Sequence, residues 1–244
     1  MPALGRNAAG QLVRRHHFLR SKRRRRRLCQ LQWHLPGTVW AMDGTWLPHP
    51  LLSGARQALT VVDLGSRKVL AVEPIPGEQA AAVVVCLAAL VARFGAPLVL
   101  KCDNGAGFIA EPVRRFCEAH QIALMHSPPR QPSYNGACEA HNRWSKDRIR
   151  CAALAAGRED VLLPEDLAAA CTWQGTTSAV TQQLRDAFRD RLAAELRTAL
   201  AARGLAQPTE ASQAVRRSLE RVAIRRALEQ CHILTIRGRD FRWQ

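Results

Sequence analysis

Apolar positions between residues 38 and 126 fall into short, separated runs whose period and length assign them to strands or helices. Thr38 to Leu47, Ala58 to Asp63 and Lys68 to Glu73 each read as a strand, separated by Gly- and Pro-containing turns at 48 to 54 and at Leu64-Gly65-Ser66. They predict an antiparallel meander. Glu78 to Phe94 is apolar and Ala-rich between Gly77 and Gly95, and its length favours a buried helix over a strand. Pro97 to Cys102 lacks alternation, as a strand buried on both faces does. A helix over Ile109 to His120 would carry Val113, Phe116 and Cys117 on one face, and Ile122 to Met125 makes a fifth strand. The predicted order is β-β-β-α-β-α-β-α.

Ser127 to Gly136 holds three prolines and an Asn-Gly pair, which excludes regular structure and predicts a mobile loop. A long helix follows from about Ala137 to Ala156, stopped by Gly157. Beyond Pro164 the pattern is helical, with helices expected near 165 to 173, 182 to 203 and 209 to 231. Cys231 to Ile236 and Asp240 to Trp243, around Arg237-Gly238-Arg239, could close as a hairpin. Three parts result: residues 1 to 36, a folded core over 37 to 160, and a helical C-terminal region over 161 to 244.

Charge separates the first part from the rest. Of 36 Lys and Arg, ten lie in residues 1 to 36, which contain no acid; the remainder of the chain holds 26 basic against 20 acidic residues. Such an arm, centred on Lys22, Arg23, Arg24, Arg25, Arg26 and Arg27, repels itself into disorder and gains from a polyanion by releasing counterions. Nucleic acid is the natural partner, against the plainer reading of a solvated tail. The eight cysteines are scattered without a CxxC pair, which points to reduced thiols inside a cell rather than a disulfide framework or a zinc module. The longest apolar run, Ala80 to Ala92, has thirteen residues, short of the roughly twenty that span a bilayer. No membrane association is expected.

Candidate chemistry sits at three carboxylates. Asp43 lies in VWAMDGTW, Asp103 follows an apolar run and precedes Asn104-Gly105, and Glu139 enters the long helix after Asn135-Gly136. Taken singly, each is an ordinary turn or solvated helix residue. Strand ends and a helix start are rigid supports, however, on which acids distant in sequence can converge. Magnesium suits such a set, since it prefers a few carboxylates, water and substrate phosphate. Two ions about 3.5 to 4 Å apart would activate an attacking oxygen and stabilise a leaving one.

Asp43, Asp103 and Glu139, with 35 residues between the last two, the Asp103-Asn104-Gly105 turn and the Asn135-Gly136 pair, resemble the retroviral-type integrase core of the DDE superfamily, which bacterial insertion-sequence transposases share. The resemblance covers about residues 37 to 160. It implies an α/β, ribonuclease H-like fold: a mixed five-stranded sheet flanked by helices, here with a helical C-terminal extension. It also implies a metal-dependent polynucleotidyl transferase that cuts and joins double-stranded DNA at the ends of a mobile element, using Mg²⁺ with Mn²⁺ as a substitute. Asp43 and Asp103 would share one ion, and Asp43 and Glu139 the second. Arg143 and Lys146, four and seven residues beyond Glu139 on one helix face, would contact DNA, with Arg150 extending the stripe. Tyr134 and Asn135 would lie in the loop over the site. The resemblance further implies a homo-oligomer, and a bacterial protein of the cytoplasm associated with the nucleoid.

Several neighbours invite other chemistry. Cys102 and Cys138 are better read as core filling, and His141 lies about 200° around the helix from Glu139. His126 is expected to be capped or exposed. Tyr134, the sole tyrosine, would serve a tyrosine recombinase only with arginines and a histidine converging on it, and no such pattern is evident. Residues 1 to 36 are too short and charged for the end-recognition domain that precedes this core in relatives, so recognition falls to a separate polypeptide, a fused upstream frame or the C-terminal region. A ribonuclease H-like nuclease or resolvase, and a catalytically silent DNA-binding integrase remnant, stay open as alternatives.

Overall fold

The structure is a computed structural model that describes residues 30–75, 79–129, 134, 136–172 and 180–237, together with 10, 11, 13, 15 and 16. Lys22 to Arg27 and Asn135 lie outside the described residues. Two units are distinguished: residues 33–233, and a small one of 1–32 with 234–244.

Within the large unit a five-stranded sheet is built from β2 (Val39–Trp46), β3 (Gln57–Asp63), β4 (Lys68–Ile75), β5 (Val99–Cys102) and β6 (Ala123–His126), in the order β4-β3-β2-β5-β6. The first three strands pair antiparallel, whereas β5 pairs parallel with β2, and β6 with β5. The predicted meander and both later strands are therefore present. In the small unit, β1 (Gln30–Trp33) pairs with β7 (Leu234–Arg237). The stretch assigned to the basic arm thus ends in a strand, and the partner of Leu234–Arg237 is β1; residues 238–244, the other half of the expected hairpin, lie outside the described residues.

Strand alternation decides which face each residue serves. Trp40 and Met42 of β2 and Leu100 and Cys102 of β5 are fully buried in a core shared with α1 (Ala80–Phe94), α2 (Ala106–Ile109) and α3 (Glu111–Ala119). The odd positions, Ala41 and Asp43 on β2 and Lys101 on β5, point to the opposite face, with Ala41 and Lys101 in register. That face is covered by α4 (Gly136–Ala155) and α5 (Pro164–Ala168), whose Ile149, Ala153 and Leu167 pack on Ala58, Val62 and Val69. Functional chemistry is thereby confined to one side of the sheet.

The helix expected over Ile109 to His120 is α3, Glu111–Ala119, with Pro112 in its first turn, where the missing N–H is one that has no partner within the helix. Ala110, extended at φ −68°, ψ 149°, separates it from the short α2, which the pattern did not predict. Between β3 and β4, buried Asp63 accepts from the amides of Gly37 and Ser66, each at 3.0 Å. The chain passes so close that a Cβ on Gly65 would stand 2.3 Å from the Leu35 carbonyl oxygen. Gly65→Ala is therefore expected to cost about 1 to 3 kcal/mol, since the obstructing atoms are backbone. Urea denaturation should give a lower midpoint with unchanged slope; an unchanged midpoint would contradict the close approach.

After α5 come α6 (Gln182–Ala201) and α7 (Gln213–Gln230), packed on each other through Ala199, Leu200 and Leu219. Arg185 anchors α6 by donating to the carbonyls of Ala96 (2.7 Å), Pro97 (3.3 Å) and Gln121 (3.3 Å). Helix α7 lies along β6, the edge strand nearest Asp103. No helix among the described residues is long and apolar enough to cross a membrane.

Candidate active site

Three elements bring the predicted acids to one side of the sheet. Asp43 stands on β2, half-buried, and accepts a 2.8 Å hydrogen bond from Asn142 Nδ2 on α4. Asp103 follows β5, two residues beyond Lys101 and so on the same face; its Oδ1 accepts from the Gly105 amide at 2.8 Å. Glu139 is exposed in the first turn of α4, one position beyond fully buried Cys138.

The three acids sense one another. Burial, then the charge of Asp103 and, more weakly, of Glu139, lift the Asp43 carboxyl from 3.8 to about 6, against the Asn142 hydrogen bond and the Lys101 charge. Among the described residues no three His, Cys, Asp or Glu side chains form a ready-made ligand cluster. Asp43 is held instead by Asn142, and Asp103 by its own turn. The donor chemistry nevertheless fits a divalent cation, since hard oxygens on three supports carry a repulsion that a positive ion would remove.

That repulsion gives a testable sign. Because Asp43 holds its proton more tightly folded than unfolded, the cation-free protein gains stability as pH falls from about 6 towards 3.8 and carries the full penalty above 6. Discounted for partial exposure, Asp43→Asn should stabilise the cation-free protein by about 1 to 2 kcal/mol at neutral pH. The gain should vanish near pH 4 in urea unfolding; an equal gain at both pH values would contradict the assignment.

Two residues passed over in the sequence complete the site. Lys101, 3% exposed, donates to the Tyr134 carbonyl at 2.7 Å and lies 4.7 Å from the centre of the Tyr134 ring. Burial lowers its pKa, while the neighbouring Cys138, Cys102, Asp43 and Glu139 act in the opposite direction. The other is Asn142. A lysine inside the doubly buried run LVLKC, two residues before the aspartate, was the available signal for the first; the i+3 spacing from Glu139 was a faint one for the second.

The remaining candidates sort clearly. Cys102 and Cys138 are fully buried, and burial pushes the Cys138 thiol up to about 12 and the Cys102 thiol well above its ordinary value, so both are core filling. His126 is capped rather than exposed: it is buried, with Nδ1 3.1 Å from the Asp103 carbonyl and 3.3 Å from Cys102 Sγ, and burial lowers its pKa. It ties β6 to the Asp103 loop because α7 covers that edge. His141 faces the β3–β4 turn, with Nε2 3.1 Å from the Arg67 carbonyl. Tyr134 turns inward, donating to Met125 Sδ at 3.7 Å, and burial raises its phenol pKa. Arg143 is exposed and Lys146 half-buried on the outer face of α4, without an ion pair among the described residues.

Comparison with known proteins bears on the fold and on part of the chain. Residues 34–132 match the family model "Integrase core domain", a span that contains Asp43 and Asp103 and ends before Glu139. The Pol polyprotein of Radiation murine leukemia virus (strain Kaplan) is 31% identical over 140 residues, 55% of this chain and 23% of the polyprotein. The Gag-Pol polyprotein of Gibbon ape leukemia virus is 31% identical over 134 residues, 53% of this chain and 8% of the polyprotein. The chain thus spans less than a quarter of the length of these relatives. A solved chain of the simian T-cell lymphotropic virus intasome in complex with PP2A regulatory subunit B56 gamma superposes with a TM-score of 0.50 at 19% identity, covering 63% of this chain and 59% of that one. The fold is ribonuclease H-like, with the mixed five-stranded sheet that the resemblance implies.

Proposed function

We propose, from the premise that residues 34–132 form an integrase core domain of the retroviral type, that the protein is a DDE transposase or integrase: a metal-dependent polynucleotidyl transferase that cuts and joins DNA at mobile-element ends. The observation that carries this is the coupling of Asp43 to Asp103 and Glu139 on one side of the sheet, with its carboxyl near pKa 6. Asp43 with Asp103, and Asp43 with Glu139, would hold two Mg²⁺ ions, for which Mn²⁺ would substitute. Magnesium bound there supplies Lewis-acid polarisation of the scissile phosphate and acidifies the attacking hydroxyl.

The chain's own groups orient and exclude. Asn142 fixes the Asp43 carboxylate through its 2.8 Å bond, and Lys101 offsets the local negative charge while holding the Tyr134 backbone. Arg143 and Lys146 would grip the DNA backbone beside Glu139. The Cys102 and Cys138 thiols and the Tyr134 phenol are all pushed towards their protonated forms by burial, so none of these three is an activated nucleophile. An attacking oxygen from DNA or water fits them.

Partners follow from the same chemistry. Double-stranded DNA would be bound by the basic arm, Lys22 to Arg27, and by the loop at Tyr134 and Asn135 together with the outer face of α4. A homo-oligomer would pair two DNA ends, with end recognition supplied by a separate polypeptide. All seven described cysteines are free, which suits a reducing compartment such as the cytoplasm.

Incubating the protein with labelled linear duplex, supercoiled plasmid and Mg²⁺ tests the reaction. Covalent joining of label to plasmid is expected. Cleavage without joining would instead establish a nuclease or resolvase, and DNA binding with neither reaction a silent remnant.

A further inference from the structure

The C-terminal helix α7 carries arginines in two settings. Arg216 and Arg226 have carboxylate partners, Glu220 at 3.0 Å and Glu195 at 3.3 Å. Arg217 and Arg221, one turn apart on a single face, have none among the described residues. Their contacts go to the loop that carries Asp103 and to the end of β6. Arg217 Nη1 lies 3.4 Å from Asn104 Oδ1, and Arg221 Nη1 donates to the His126 carbonyl at 3.1 Å. Asn104 in turn donates to the Ser127 carbonyl at 2.8 Å, so both guanidinium groups stand at the paired ends of β5 and β6.

Each uses one donor of the five that a guanidinium presents. Burial, and more weakly the like charge of Arg225, lower the Arg221 pKa, as expected for a cation without a counterion. Arg217 and His126 also line a cleft of about 730 Å³ between α7 and the α3–β6 edge, so Arg217 is open to solvent. The pair therefore presents unspent, planar donors, without a carboxylate ion-pair partner among the described residues, beside the loop of Asp103.

We propose that Arg217 and Arg221 form a phosphate-binding site for the DNA backbone, so that α7 is the second wall of the nucleic-acid groove. Guanidinium forks suit phosphate oxygens, and an anion there supplies the counterion that neither arginine has among the described residues. The C-terminal region thereby gains a role in holding the strand that passes Asp103. The proposal rests on the DNA-joining function above.

The salt dependence of duplex DNA binding by the full chain, read by fluorescence anisotropy, tests it. Replacing both residues (Arg217→Gln with Arg221→Gln) should reduce the slope of log affinity against log salt by about 2, roughly 1 for each lost contact. The Lys pair should retain the slope, and Arg226→Gln, which removes a charge already paired with Glu195, should leave it unchanged. A helix-packing role alone would alter thermal unfolding without moving the slope. Should the Gln pair fail to fold, Arg217→Gln alone reads a single contact. An unchanged slope in a folded variant overturns the site while leaving the joining reaction in place, whereas a wild type that binds no duplex DNA overturns both.

Discussion

Asp103→Asn and Glu139→Gln should each lower DNA joining and cleavage by about 10³-fold or more while leaving duplex affinity within about twofold. The two substitutions preserve shape and remove one anionic oxygen donor. In Asp103→Asn the side-chain carbonyl oxygen can still accept from the Gly105 amide, so the turn survives. Glu139 is exposed, and its loss uncovers no core. What disappears is charge for a divalent cation, and a factor of 10³ corresponds to about 4 kcal/mol of transition-state stabilisation. Rates should be compared at saturating DNA and at several Mg²⁺ concentrations. Activity in either variant within tenfold of wild type would remove that carboxylate from the chemistry.

Deleting residues 1 to 27 should weaken duplex binding by about 10²- to 10³-fold near 0.1 M salt, because neutralised phosphates dominate affinity and release counterions. The segment carries ten Lys and Arg and no acid. If six of the ten touch phosphate, the slope of log affinity against log salt falls by about 5. The core should melt as before, since β1 begins at Gln30, beyond the deletion. Equal slopes for the full and shortened chains would make the arm a solvated tail.

The core's elements were legible because burial imposes its period on local sequence. The three meander strands and the long helix ending near Ala156 lie within two residues of expectation. The alternation that places Cys102 inward and Asp103 outward is also a local property. The helix carrying Val113, Phe116 and Cys117 likewise lies within two residues of expectation, at Glu111–Ala119. What could not be read depends on contacts between distant segments. Asn142 acquires its role from Asp43, 99 residues away, and His126 is buried because α7 crosses its strand. Nothing in Leu234–Arg237 names Gln30–Trp33 as its partner, for both are short alternating runs that any edge could accept. Likewise, the arginines of α7 all look alike until Glu220 and Glu195 are seen to neutralise Arg216 and Arg226.

That Asp43, Asp103 and Glu139 hold divalent cations is tested most directly by anomalous scattering from crystals grown with Mn²⁺. Peaks are expected between Asp43 and Asp103 and between Asp43 and Glu139 in the wild type, with the second lost in Glu139→Gln. Manganese bound elsewhere, with none against Asp43, would contradict it.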